Sequence, residues 1–174
     1  MPGPVFLDGE GVTLRPLERD DLSFVQTYYN HPDVRQPLGR TEPKTAGDLE
    51  DDFEGYMQES VNLLICADDE PVGAVALFDW DETAGRVEIG YWVVPDEQGN
   101  GYGSDAVSQA LTYAFEERRC HKVVAGVFAT NEASQGLLET LGFEQEGRFR
   151  DQIFVNGEYV DAIRYGLLAE EWRA

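Results

Sequence analysis

Between Val87 and Ala114 the chain passes from an apolar run, Val87-Glu88-Ile89-Gly90-Tyr91-Trp92-Val93-Val94, through Pro95-Asp96-Glu97 to Gln98-Gly99-Asn100-Gly101-Tyr102-Gly103-Ser104, and then into a helical pattern. The run has the β-branched and aromatic content of a strand. Glycines at three alternate positions allow positive φ and a close approach of backbone to a ligand. The helix that follows turns its unpaired N–H groups and the positive end of its dipole toward the same place. Strand, glycine loop and helix start together predict a site for phosphate or diphosphate, held mainly by main chain.

Spacing separates the readings of that loop. No lysine follows the last glycine, so the Gly-x-x-x-x-Gly-Lys-Ser/Thr pattern of nucleotide hydrolases is absent. Gly101-Tyr102-Gly103-Ser104-Asp105-Ala106 fits the loose dinucleotide fingerprint. That fingerprint, however, wants its first glycine directly after the strand and an acidic residue about twenty positions on. Here Pro95 to Asn100 intervene, and the next strand, Lys122-Val123-Val124-Ala125-Gly126-Val127, carries no carboxylate. A glycine-rich turn that merely joins strand to helix stays open at this point.

The remaining segments give the order of elements. Residues 11–17 alternate as a first strand, which Pro16 ends. Asp20-Asp21 caps a helix with Leu22, Val25 and Tyr28 or Tyr29 inward, and Asn30-His31-Pro32 breaks it. Thr45-x-x-Asp48 reads as a capping box for a second helix, with Ala46, Leu49, Phe53, Tyr56 and Met57 at helical spacing. Residues 61–67 and 72–78 are strands about the loop Asp68-Asp69-Glu70-Pro71, and the turn 81–85 leads into the Glu88 strand. Val107, Ala110, Leu111, Ala114 and Phe115 mark a third helix, 122–128 the next strand, and 133–141 a fourth helix closed by Gly142. Asn156-Gly157 joins the last two strands, 143–155 and 158–168, as a hairpin. The order predicts one α+β domain over residues 1–174, a mixed central sheet of about seven strands with about four helices.

Composition narrows the function classes. The 174 residues, 42% hydrophobic, suit one core. No apolar stretch of roughly 18 residues occurs, and Met1-Pro2-Gly3-Pro4 lacks the features of a signal peptide, so a soluble cytoplasmic protein is expected. Cys66 and Cys120 lie in apolar surroundings and read as small buried hydrophobes, not as a disulfide or a nucleophile. His31 and His121 stand singly, so no metal site is expected. Asp and Glu number 34 against 13 Lys and Arg, a formal charge of −21. Such a charge disfavours nucleic acid and anionic membrane as partners. Its dispersal along the chain resembles the surface of halophilic proteins, where salt screens the self-repulsion.

Gln98-x-x-Gly101-x-Gly103 closely resembles the acetyl-coenzyme A loop of the GNAT superfamily of N-acetyltransferases. The segment from Asn131 to Gly147, Asn131-Glu132-Ala133-Ser134-Gln135-Gly136-Leu137-Leu138-Glu139-Thr140-Leu141-Gly142-Phe143-Glu144-Gln145-Glu146-Gly147, is similar to one in the RimJ/RimL-type branch that acetylates ribosomal-protein N-termini. The resemblance covers residues 12–172. It implies the acyl-coenzyme A N-acyltransferase fold and acetyl-coenzyme A (acetyl-CoA) as co-substrate, lying between the fourth and fifth strands. The main chain of Trp92, Val93 and Val94, the loop Gln98, Gly99, Asn100, Gly101, Tyr102, Gly103 and Ser104, and Asn131 would hold it. The same resemblance implies Glu88 as the base that takes the amine proton through water. Glu88 stands in an otherwise apolar strand on one face with Gly90 and Trp92, although an exposed carboxylate is the ordinary alternative. Many members carry a tyrosine acid where this chain has Leu138; the resemblance to the RimJ/RimL-type branch, which places the serine matching Ser134 near the sulfur, implies Ser134 as the candidate proton donor instead. Asn131 is also a natural helix cap. The implied reaction is direct attack of a primary amine in a ternary complex, with a protein or peptide N-terminal α-amine favoured and a spermidine-type polyamine as the alternative. A non-catalytic acyl-coenzyme A sensor keeps the same fold, and relatives of this kind are often homodimers.

Overall fold

The computed structural model describes residues 2–174. One eight-stranded sheet runs through it in the order β1-β2-β3-β4-β5-β6-β8-β7. Leu7–Asp8 (β1), Thr13–Pro16 (β2), Val61–Ala67 (β3), Glu70–Asp81 (β4) and Arg86–Val93 (β5) form an antiparallel meander. β5 pairs in parallel with Lys122–Phe128 (β6), and Glu158–Leu168 (β8) lies antiparallel to β6. Glu144–Val155 (β7) forms the far edge. Leu22–Tyr29 (α1), Pro32–Arg35 (α2) and Ala46–Glu54 (α3) fill the connection from β2 to β3. Tyr102–Thr112 (α4), extended by the π-helical turn Tyr113–Glu117, crosses from β5 to β6; Glu132–Thr140 (α5) leads to β7, and Ala169–Arg173 (α6) closes the chain.

The class is the expected one, with eight strands and six helices where the pattern suggested about seven and about four. Each addition is short. Pro32 does end α1, but it also opens α2, because His31 Nδ1 accepts from the Asp33 N–H at 3.2 Å and a proline at the first helical position is already shaped for a helix. β1 is two residues long and depends on a distant partner: the Asp105 carboxylate on α4 accepts from Gly11 N at 2.8 Å and Val12 N at 2.9 Å, fixing the turn between β1 and β2. The capping box reads as expected, with Thr45 Oγ1 accepting from Asp48 N and Asp48 Oδ2 from Thr45 N. The Asn156-Gly157 turn has positive φ at both residues, 51° and 82°, as a two-residue hairpin requires.

The feature that shapes the site is the shortness of the β5–β6 ladder. Only Arg86↔Lys122, Val87↔Val123 and Glu88↔Val124 pair. Beyond them β5 stays with β4 as far as Val93↔Gly73, and β6 stays with β8 as far as Phe128↔Ala162, so the two strands part. Beneath the join, Ala106, Val107, Ala110 and Leu111 of α4 are fully buried with Val87 and Val123. Side-chain packing there supplements the three paired positions in holding the sheet together.

Nine ion pairs occur among the described residues, and eight of them are exposed or half-exposed on at least one side. Exposed pairs are worth about 0–1 kcal/mol each, too little to offset the repulsion within a surface of charge −21. Net electrostatics therefore opposes folding, and screening weakens the repulsion more than it weakens a few contacts. The melting temperature is expected to rise between about 0.1 M and 1 M KCl, as the Debye length falls from about 10 Å to about 3 Å. A melting temperature that falls or stays level would count against salt adaptation.

Candidate active site

Two cavities meet at the mouth between β5 and β6. One, of about 440 Å³, is lined by the loop after β5, the start of α4 and one side of α5. The other, of about 340 Å³, lies against α1, the segment after α2 and the opposite face of β5. Pro37, Leu38, Tyr91 and Trp92 border both. Ladder alternation explains how one strand serves two chambers. Gly90 and Trp92 share the Glu88 face, where Trp92 packs on Phe24, Tyr28 and Tyr29. Tyr91 and Val93 face α5 and α4.

The larger cavity has the character expected of an anion groove. Gly99 and Gly101 adopt φ of +83° and +80°, and a Cβ on either would meet no atom within 4 Å. Gly136 on α5, across the groove, also has open space above it. Such a cradle fits the close approach of a diphosphate to backbone. Gly103 differs from the other two loop glycines: it lies within α4 without positive φ, and its Cβ would sit 3.4 Å from Leu137 and 3.6 Å from Val93. Its smallness serves the packing of α4 on β5 and α5. Asp33 and Glu97 line the groove, and no Lys or Arg does among the described residues. An anion there meets no side-chain cation and depends on backbone N–H groups, the α4 dipole and neutral polar side chains such as Ser104.

Most of the loop residues named from the sequence line this groove: Trp92, Val93, Gln98, Gly99, Gly101, Tyr102, Gly103 and Ser104, with Asn131 and Ser134 from α5. Val94 and Asn100 do not. Val94 is buried, its N–H bonded to Val72 O at 2.8 Å and its carbonyl taken by Glu97 N. Asn100 Nδ2 turns back to Glu97 O at 3.1 Å. With Val94 directed at β4, the alternation of an antiparallel ladder turns the main-chain groups of Tyr91 and Val93 to the open side. Gln98 Nε2 donates to Val93 O at 3.0 Å, tying the loop to the strand end.

Asn131 caps α5, its Oδ1 accepting from Ser134 N at 3.2 Å. The Ser134 hydroxyl meets a residue the sequence reading passed over, Tyr91, whose Oη lies 2.6 Å from Ser134 Oγ. Burial pushes the Tyr91 phenol above its ordinary value, with the Ser134 bond acting the other way. Leu138, where a tyrosine acid was absent, is fully buried in the core. Its loss of a hydroxyl could have prompted a search for another on the facing strand.

Glu88 sits at the last position of β5 that pairs with β6, half-buried in the wall of the smaller cavity. Arg164 Nη1 of β8 donates to its Oε1 at 3.0 Å, across the space left by Gly126. Glu88 and Ser134 therefore belong to different chambers that share Tyr91 and Trp92 as their partition. Cys66 and Cys120 are buried and free, and burial raises both thiols, Cys66 to about 11. Neither borders either of these two cavities. No group of three or more metal-ligating side chains stands together among the described residues, and no helix there is long and apolar enough to cross a membrane.

The profile of the Acetyltransferase (GNAT) domain matches residues 12–144. The chain belongs to the GNAT acetyltransferase family. It is 26% identical to the spermidine N(1)-acetyltransferase of Vibrio cholerae over 164 residues, 92% of this chain and 95% of that one. It is 37% identical over 100 residues to the Bacillus subtilis protein YdaF, provisionally named a ribosomal N-acetyltransferase; that stretch covers 58% of this chain and 55% of YdaF. In fold it matches the crystal structure of the V. cholerae spermidine N-acetyltransferase in complex with CoA and spermine, with a TM-score of 0.89 at 24% identity over 94% of this chain and 99% of that one. A GNAT-family structure from Bacillus anthracis gives a TM-score of 0.82 at 25% identity, over 95% and 99% of the two chains. This GNAT protein is an N-acetyltransferase.

Proposed function

We propose that the acceptor is the α-amine of a peptide or protein N-terminus, acetylated by direct attack on the thioester. The observation that carries this reading is the poverty of carboxylates in the smaller cavity: Glu88 is its only acidic lining residue, and Arg164 already faces it. A polyamine carries further cationic centres, each of which needs an acceptor or a carboxylate when desolvated. An α-amine presents one. Its pKa of about 8, against about 10.4 for an alkyl amine, puts the cost of the neutral form at pH 7 on the order of 1 kcal/mol instead of 4 to 5. One carboxylate acting through water suffices for the first. The polyamine reading rests on the spermidine acetyltransferases among the relatives. The deciding measurement is kcat/KM for short peptides with free Ser or Ala N-termini beside spermidine at matched ionic strength. A tenfold preference for spermidine would overturn the assignment.

In this reading acetyl-coenzyme A, when bound, supplies the acetyl thioester. Glu88 receives the amine proton through water. Main-chain N–H groups of β5 turned into the cleft are placed to donate to an acetyl oxygen. Ser134 gives its proton to the departing thiolate and takes one in turn from the Tyr91 hydroxyl, which solvent reprotonates. Tyr91, kept neutral by burial, donates to Ser134 Oγ and so leaves the serine proton free to point into the groove.

Ser134→Ala is expected to lower kcat by about ten- to a hundredfold with little change in coenzyme affinity, the mark of an interaction made in the transition state. Tyr91→Phe should fall short of that, and the double variant should resemble Ser134→Ala, because the two hydroxyls act as one unit. Additive losses on a logarithmic scale would give Tyr91 a separate role.

A further inference from the structure

Arg40 stands in the wall of the acceptor cavity and takes no part in the chemistry described above. Its buried Nε has no hydrogen-bond partner, and no ion pair engages its guanidinium among the described residues. Scarcity of carboxylates does not explain this. Asp and Glu number 34 against 13 Lys and Arg. Asp52, which like Arg40 bears on Tyr56, is engaged by Lys44 at 2.9 Å.

The group is also held in place. The Arg40 N–H donates to Arg35 O at 2.9 Å, and Arg35 Nη1 donates to Arg40 O at 3.2 Å, so the backbone is pinned from both sides. The guanidinium lies over the Tyr29 ring, 3.6 Å from its centroid. Stacking fixes the plane and leaves the edge, which carries the N–H donors, free for a partner in the plane. A preorganised guanidinium with unused donors in a cavity fits a planar carboxylate, which can take two parallel N–H bonds.

We infer that Arg40 receives a carboxylate carried by the acceptor, so that the preferred substrate bears an acidic group as well as the amine that Glu88 serves. The inference rests on the acetyl-transfer reading of this cavity and deepens it. The carboxylate can come from an acidic side chain close to a peptide N-terminus or from the α-carboxyl of a free amino acid.

The test compares matched acceptors: peptide amides beginning Ala-Glu against Ala-Gln, and free alanine against alaninamide. The carboxylate member of at least one pair is expected to show tenfold or higher kcat/KM, and which pair responds names the source. Arg40→Gln should bring that ratio close to one, and Arg40→Lys, which keeps the charge, should restore part of it. Melting curves check that each variant folds. Binding of the N-acetylated Ala-Glu and Ala-Gln peptide amides, by calorimetry, supplies a readout independent of turnover. If no acceptor is acetylated but the acidic peptide still binds in an Arg40-dependent way, the N-terminal reading fails and this one stands. A ratio near one in the wild type, or a ratio that Arg40→Gln leaves unchanged, overturns the inference.

Discussion

Replacing Gly101 with valine is expected to weaken acetyl-coenzyme A binding by a hundredfold or more, about 2.7 kcal/mol, in a chain that still folds. Gly101 is the residue before α4, at φ +80°, and a Cβ there would meet no protein atom within 4 Å. The added side chain projects instead into the groove, where backbone has to approach the diphosphate. Left-handed backbone at a non-glycine residue costs roughly 1–2 kcal/mol, so some stability is lost as well. Gly136→Ala separates the two effects. Gly136 sits on α5 in ordinary helical geometry, and its Cβ position also faces open space across the groove. Alanine should stabilise the helix by about 1 kcal/mol and yet weaken coenzyme binding, since it narrows the groove from the opposite wall. Calorimetry with acetyl-coenzyme A beside thermal unfolding reads both quantities. Unchanged affinity in two folded variants would remove the coenzyme from this groove.

Glu88→Gln is expected to lower kcat/KM at pH 7 by roughly a hundred- to a thousandfold, within the range for loss of a general base. Glutamine keeps an oxygen for Arg164, so the contact across Gly126 can survive the change. The pH profile carries the distinction. Raising the pH toward 9 frees the lone pair of an α-amine with pKa near 8 without help from the protein. The defect should therefore shrink as pH rises. A loss of the same size at every pH would make Glu88 a group that positions the acceptor and not one that takes its proton.

How much of this was readable in the sequence depended on the range of the interaction involved. The capping box at Thr45 and Asp48, the Asn156-Gly157 turn and the strand–loop–helix around Gly101 are set by residues within a few positions of one another. Each appears in the structure as its local chemistry dictates. β1 does not have that independence, because two residues become a strand only once Asp105 holds the neighbouring turn. α2 was hidden by the double meaning of Pro32, which ends one helix and starts another. At the site, Glu88 and Ser134 could be singled out from strand alternation and motif. Their partners could not: Arg164 is 76 residues from Glu88, and Tyr91 is 43 from Ser134. Arg40 gave no signal at all in sequence, since a lone arginine in a connecting segment looks like any other exposed cation.

The three-residue ladder between β5 and β6 has a mechanical consequence. A sheet normally transmits load through rows of hydrogen bonds, but here β1 to β5 and β6 to β8 are almost separate ribbons, joined by three bridging positions and by the side chains of α4 beneath them. Cooperative units in proteins tend to divide where such connections are thinnest. The seam is thus the natural line of slow opening, and amides of Tyr91 and Val93, which face the cleft, lie beside it. A ligand lodged in the cleft bridges both ribbons, so occupancy converts a hinge into a brace. If the cleft holds the coenzyme, as proposed above, the feature that admits it would also make the rigidity of the whole sheet depend on whether it is there.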